Sequence, residues 1–316
     1  MPETATFLKI KNQILRLARN DRFQRLAFTG VLFLASILIL GYLVFKERNL
    51  LLEYRWEFNV IPAIISFPLY TIALLTIVGI WGWMMNTLSK KLSFATHFRY
   101  FAVSNVAKRL PGTIWYIASR AHFYRAEGID PKLTSLASGM ELLVSTIASI
   151  LVSLVFSFTL LTESRSNLLT VTGLFIICGL LLHPRTFTWV GKLLKVEIAQ
   201  LRYFTILKWI GLYCFNWIVA GCLLFTIGSS ITPLPVWQLP YFIGSFSVVG
   251  ALSTVVFFLP SNFGITEVGL SLFLSRILPA HVAVAIAVSF RLLVTFYDVI
   301  WAGICWKTLP RSRIKP

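Results

Sequence analysis

Runs of residues without a single charge, each about long enough to cross a lipid bilayer, recur along this chain and restrict what it can fold into. Residues 241–258 are eighteen such residues in a row. About 20 predominantly apolar residues in a helix cover the roughly 30 Å of hydrocarbon in a bilayer. Runs of this kind fall near 27–45, 60–88, 134–161, 168–182, 205–228, 241–259, 265–278 and 281–305. The sequence therefore predicts an all-α fold, a polytopic transmembrane helical bundle of about eight spans. Composition agrees: 13% of residues are charged, where a soluble domain has about 25%. No run precedes Ala27 that could serve as a cleaved signal peptide, so the first span is expected to stay.

The net charge of +17 would suggest nucleic acid in a soluble protein, but its distribution points elsewhere. Residues 1–25 carry Lys9, Lys11, Arg16, Arg19, Arg22 and Arg25 against Glu3 and Asp21. Residues 183–208 carry five bases against Glu197, and the end of the chain carries Lys307, Arg311, Arg313 and Lys315 with no acid. Loops 46–58 and 162–167 are balanced, and loop 229–240 is uncharged. Basic loops stay on the cytoplasmic side. With eight crossings every basic loop falls inside, which places both termini in the cytoplasm of a prokaryotic cytoplasmic membrane. The charge then reads as a topology signal with attraction to anionic headgroups, and no nucleic-acid partner is expected.

The chain divides into a basic amphipathic segment at 1–26, a transmembrane domain at 27–306 and a basic tail at 307–316. The amphipathic segment either lies on the inner surface or only orients the first span. Cys178, Cys214, Cys222 and Cys305 all fall in predicted spans with no C-x-x-C pair, and read as packing residues. No H-E-x-x-H or nucleotide-binding loop is present, and no metal or cofactor is expected.

Residues 89–132 do not fit a simple span. They hold eight Lys/Arg and two acids, too many to face lipid, yet they are rich in aromatics. A pair of short helices dipping in from the inner face and turning at Leu110-Pro111-Gly112 reconciles the two facts. Such a break is tolerated at membrane depth only where protein or a watery cavity covers the freed backbone groups. "LPSNFGITE" (259–267) has the same form, with Pro260, Asn262 and Gly264 at the break. The offset of 149 residues from Pro111 to Pro260 suggests an internal repeat, and paired breaks in two halves point to a central binding site.

Each break precedes an ionisable residue in a span by about 30 residues: Glu141 after Pro111, Arg291 after Pro260. Thr134, Ser138, Glu141 and Ser145 share one helix face, as do Arg291, Thr295 and Asp298. An ionisable group at a helix centre costs about 2.5–3.5 kcal/mol on insertion scales and marks a site for function or an ion pair. Arg291 and Asp298 are about 10 Å apart along the axis, which leaves Arg120 and Glu267, just beyond the two breaks, as the nearer partners of this charged set. An arginine fork matches a phosphate, so Arg120 and Arg291 would bind an anionic headgroup while Glu141 and Glu267 hold them in place. The other reading of the same four residues is an ion-pair network that locks the bundle.

At these residues the chain resembles the transmembrane region of lysylphosphatidylglycerol synthetases, a flippase-like membrane domain also found beside glycosyltransferases. The resemblance rests on "RLPGTIWYIASRAHFYRAEGI" with "SGMELL", and on "LPSNFGITEVGLSLFL" with "SFRLLVTFYDVIWAGI". It implies roles for Pro111, Gly112, Trp115, Arg120 and Glu141, and for Pro260, Gly264, Glu267 and Arg291. The aromatic Ile114-Trp115 is similar to the glycosyltransferase-associated branch. The expected function is translocation of an anionic phospholipid or a polyprenyl-phosphate-linked saccharide between leaflets, beside a possible cytoplasmic glycosyltransferase. The alternatives are an integral-membrane glycosyltransferase and a membrane scaffold for one.

Overall fold

A computed structural model describes residues 48–109, 114–156, 202–255 and 265–308, with positions 38, 41, 42 and 45. The expected spans at 27–45 and 168–182, the amphipathic segment and most of the basic tail lie outside these residues. So do Cys178 and the break residues Pro111, Gly112, Pro260, Asn262 and Gly264.

The described chain is helical, with no strand. Its helices are α1 (Arg48–Glu53), α2 (Val60–Leu88), α3 (Phe94–Val106), α4 (Ile114–Ala126), α5 (Pro131–Phe156), α6 (Tyr203–Ser229), α7 (Leu239–Val255), α8 (Ile265–Leu274) and α9 (Ala280–Lys307). Among the described residues, five helical segments are long and apolar enough to cross a membrane: α2, α5, α6, α9 and the stretch that includes most of α7. This is an integral membrane protein. The expected span at 265–278 holds only the ten-residue α8, about 15 Å long and half the hydrocarbon thickness.

Local chemistry sets the helix ends. Asn59 caps α2 by accepting from the Ile61 N–H at 3.1 Å, and Ser93 caps α3 by accepting from Thr96. Gly128, at φ 76°, lets the chain turn out of α4, so that the Ile129 N–H reaches back to the Tyr124 carbonyl. Asp130 then accepts from the Lys132 N–H at 2.8 Å, with Pro131 as the first residue of α5. Inside the spans, hydroxyls of Thr71, Thr87, Ser138, Thr226, Ser247 and Thr295 donate to the carbonyl four residues earlier. A buried hydroxyl is thereby satisfied without water.

Two antiparallel hairpins organise the middle of the molecule. In the first, α3 pairs with α4: His97 meets Tyr124, the Tyr100 hydroxyl donates to Glu127 at 2.7 Å, and Lys108 lies over Tyr116. In the second, α7 pairs with α8: the Tyr241 hydroxyl donates to the Phe273 carbonyl at 2.6 Å, and Ser253 meets Thr266. Each hairpin therefore begins and ends on one side of the molecule. The base of α3/α4 lies at the end of α9, where Arg99 donates to the Thr308 carbonyl. The base of α7/α8 lies at the start of α9, where Tyr54 bridges Thr232 and the His281 ring. Because α9 runs from one base to the other, the hairpins enter from opposite sides. The first packs through α3 on α9, and the second packs through α7 on α5.

Candidate functional site

Arg120 and Glu141 meet where α4 packs against α5, and an Arg120 Nη1–H donates to Glu141 Oε2. Both side chains are buried, Arg120 at 0% exposure. Aromatic rings replace water around the guanidinium, whose carbon lies 4.1 Å from the Phe101 ring centre, 4.3 Å from Trp81 and 5.1 Å from Tyr116. A cation over a desolvated aromatic face gains about 2 kcal/mol. The fully buried Tyr213 of α6 also lies within interaction range of the Glu141 carboxylate. Arg120 Nε and Nη2 have no hydrogen-bond partner among the described residues, nor has the Tyr116 hydroxyl.

Arg291 and Glu267 meet where α9 packs against α8, with Arg291 Nε 3.2 Å from Glu267 Oε1. Here the carboxylate is buried but the arginine is not sealed: its side chain is 16% exposed. The next residue, Leu292, is 65% exposed, and Phe296 and Val299 continue that apolar face along α9. On a membrane helix such a face meets lipid, so the second pair lies at the edge of the lipid-facing surface. The first pair does not.

The four charged residues singled out in the sequence thus form two pairs, one at each junction of a short helix with a long one. The others stand apart. Ser138 is buried one turn from Glu141, its hydroxyl given to the Thr134 carbonyl at 3.0 Å. Thr295 donates to the Arg291 carbonyl at 2.7 Å, and Trp115 is half exposed at the start of α4. Asp298 accepts from the Tyr70 hydroxyl and from Asn105 Nδ2, the latter at 2.6 Å, and so ties α9 to α2 and α3.

A buried relay that the sequence reading missed fixes the first hairpin against α2. The Trp81 N–H can only donate, and it donates to the Tyr124 oxygen at 2.7 Å. The Tyr124 oxygen also lies 2.6 Å from His97 Nδ1. Asn86 Oδ1, 3.1 Å from the other ring nitrogen, can only accept, so neutral His97 carries its proton on Nε2 and its Nδ1 accepts from the Tyr124 hydroxyl. Asn86 also clamps Leu92, accepting from its N–H at 2.8 Å and donating to its carbonyl at 3.2 Å. Burial lowers the His97 pKa to about 4, which keeps the ring neutral as the relay requires. Trp81 belongs to both this relay and the Arg120 box, so the relay positions the first ion pair. No pattern in the sequence marks these residues, since Trp, Tyr and Asn are common at helix interfaces and at membrane boundaries alike.

Among the described residues no cluster of three or more His, Cys, Asp or Glu is placed to hold a metal ion, and Cys214, Cys222 and Cys305 are free thiols. No protein-family model matches the sequence, and no curated protein does.

Proposed function

We propose that this protein moves an anionic lipid headgroup across the membrane, in keeping with the resemblance to the flippase-like lysylphosphatidylglycerol synthetase region. The observation that carries this reading is the Arg291–Glu267 pair: an arginine paired with a buried carboxylate, itself partly exposed beside a lipid-facing surface. An ionisable residue inside a membrane segment is costly and marks a candidate functional site. A phosphate can displace Glu267 and take both prongs of the fork. Leu292 and Phe296 would keep the acyl chains in the bilayer meanwhile. The same chemistry serves a phospholipid or a polyprenyl-phosphate-linked saccharide.

The architecture that supports this reading is an internal repeat with six full crossings. They are the expected spans at 27–45 and 168–182 together with α2, α5, α6 and α9. The two hairpins enter without crossing. Although α7 is long enough to span, it is paired with an α8 that is not, and both hairpin ends lie on one side. The basic residues Lys90, Lys91, Arg125, Lys132, Arg202, Lys208 and Lys307 gather at the base of the first hairpin, which is therefore the cytoplasmic face.

The test uses full-length protein in liposomes containing a fluorescent phosphatidylglycerol whose outer-leaflet copies are chemically quenched. Wild-type protein is expected to expose the inner-leaflet pool to the quencher. Arg291→Gln should reduce that rate by about tenfold or more, and Arg291→Lys should restore part of it, because an ammonium lacks the planar fork. Wild-type rates for Arg291→Gln would defeat the phosphate role. Sugar transfer from a polyprenyl-phosphate donor by the purified protein would favour the enzyme reading.

A further inference from the structure

Three stretches of the chain meet on the outer face and bring together polar and aromatic side chains, with no acid, lysine or arginine among them. The first, between α1 and α2, holds Tyr54 and Trp56. The second, the end of α6 with the residues beyond it, holds Ser229, Thr232 and Gln238. The third, the start of α9, holds His281. Tyr54 joins them. Its hydroxyl lies 3.0 Å from Thr232 Oγ1, and its ring meets those of His281 and Trp56 edge to face, with centres 5.0 and 4.7 Å away.

Packing beneath the cluster draws Gln238 to the same place. A Cβ on Gly228 would stand 3.3 Å from Ile286 Cδ1 and 3.4 Å from Phe242 Cε1, so α6, α7 and α9 converge at that level. About one turn further out along the chain at each stand Thr232, Gln238 and His281. Gln238 is 7% exposed. Yet its Oε1, His281 Nε2 and Ser229 Oγ, all buried, have no hydrogen-bond partner among the described residues. Leaving buried polar atoms unmatched is unfavourable, and three at one level of the bundle require a ligand or bound water.

We infer that this cluster binds a neutral saccharide, the sugar portion of a lipid whose phosphate lies at Arg291. The inference rests on the lipid-transport reading above and chooses between its two lipid classes. A sugar hydroxyl both donates and accepts, as a serine hydroxyl does. It can therefore satisfy Gln238 Oε1, which only accepts, and His281 Nε2 or Ser229 Oγ, which serve in either sense. Tyr54 and Trp56 are half-buried, and such rings suit a ligand with one apolar face and a wet edge, as the C–H face of a pyranose is. Loop 229–240 has no charged residue to select a second anion. Distance separates the two lipids. His281 precedes Arg291 by ten residues in α9, about 15 Å along the axis. A phosphatidylglycerol held at Arg291 ends in a glycerol and cannot extend so far. A short oligosaccharide can.

The experiment measures binding, with full-length protein in phosphatidylcholine nanodiscs. Its probes are a fluorescent polyprenyl phosphate and the same lipid carrying gluco-, galacto- or manno-configured mono- and trisaccharides. At least one trisaccharide should bind about tenfold tighter than the bare lipid, the worth of one or two buried hydrogen bonds. The monosaccharides, too short to reach His281, should gain little. Gln238→Leu should abolish the trisaccharide advantage. Because that amide oxygen is unmatched without ligand, the same variant should keep or raise the midpoint of thermal unfolding, where loss of a structural hydrogen bond would lower it. If Gln238→Leu does not reconstitute, Ser229→Ala and His281→Phe, which keeps a ring against Tyr54, read the same advantage.

An advantage that survives these substitutions would overturn the site. So would trisaccharides of all three series that bind no better than the bare lipid, which would leave only water at the cluster. Failure of the transport reading is distinguishable. Arg291→Gln should weaken bare and glycosylated lipids alike and leave the advantage intact. Equal binding of the bare lipid by wild type and Arg291→Gln rejects the phosphate role, whereas a flat series across the sugars rejects the saccharide site alone.

Discussion

Arg120 and Arg291 have the same side chain and opposite surroundings, and substitution should separate them. Glu141→Gln leaves a fully buried guanidinium without a counter-charge, and breaking a buried pair in this way costs about 3–5 kcal/mol. Removing both charges, with Arg120→Gln and Glu141→Gln together, should recover part of that loss. Glu267→Gln should cost less, because the guanidinium it leaves without its counter-charge is partly exposed. Denaturant unfolding in detergent micelles gives all three values, and equal losses at the two pairs would contradict the difference in burial. His97 sets a pH dependence. Its folded pKa, about 4, lies below the usual 6.5, so the unfolded chain binds the proton more readily. The stability it contributes is present above pH 6.5 and is lost as pH falls from there toward 4. A His97→Gln variant, which keeps a donor and an acceptor, should show a smaller loss over that window in the same unfolding measurement.

At the scale of the element, the short helices were legible because their ends are written in local chemistry. Leu-Pro followed by glycine breaks a helix wherever it occurs, and eight bases between 89 and 132 exclude a lipid-facing span. Structure accordingly finds two short helices there, α3 and α4. The shortness of α8 was not legible, because Ile265 to Leu278 is mostly apolar with only Glu267 and Arg276 charged, and hydropathy cannot tell a half-helix from a crossing. Nor were the partners of Asp298. The sequence placed it on one face with Arg291 and Thr295, but Tyr70 and Asn105 lie some 200 residues away and carry no charge to advertise the contact. Close approach between α6 and α7 makes a further test. A Cβ on Gly221 would stand 2.6 Å from the Ile243 Cα, a backbone atom that cannot swing aside. Gly221→Ala should therefore lower the midpoint of thermal unfolding in detergent, by an amount matching about 1–3 kcal/mol of overpacking. An unchanged midpoint would mean that the two helices separate freely.

For the whole molecule, the opposed hairpins decide how the membrane is crossed, and the two ways of counting spans part company at one place. Eight crossings would carry α7 through to the cytoplasmic face, leaving its C-terminal turn at the aqueous boundary. Six crossings with two re-entrant hairpins leave that turn within the bilayer. Both counts put Val236 and Arg276 outside and Lys91 and Lys132 inside, so labelling at those positions tests sidedness alone. Leu252, near the end of α7 and half exposed, separates the two counts. With the native cysteines replaced, Leu252→Cys should resist a membrane-impermeant reagent from either side. An environment-sensitive fluorophore attached there in detergent before reconstitution should emit as it does in hydrocarbon, and lipids brominated near the bilayer centre should quench it. Rapid labelling from the cytoplasmic side would restore the eighth crossing and remove the opposed entry of the hairpins. The argument from charge would survive that outcome, because Arg291 would still lie partly exposed beside lipid.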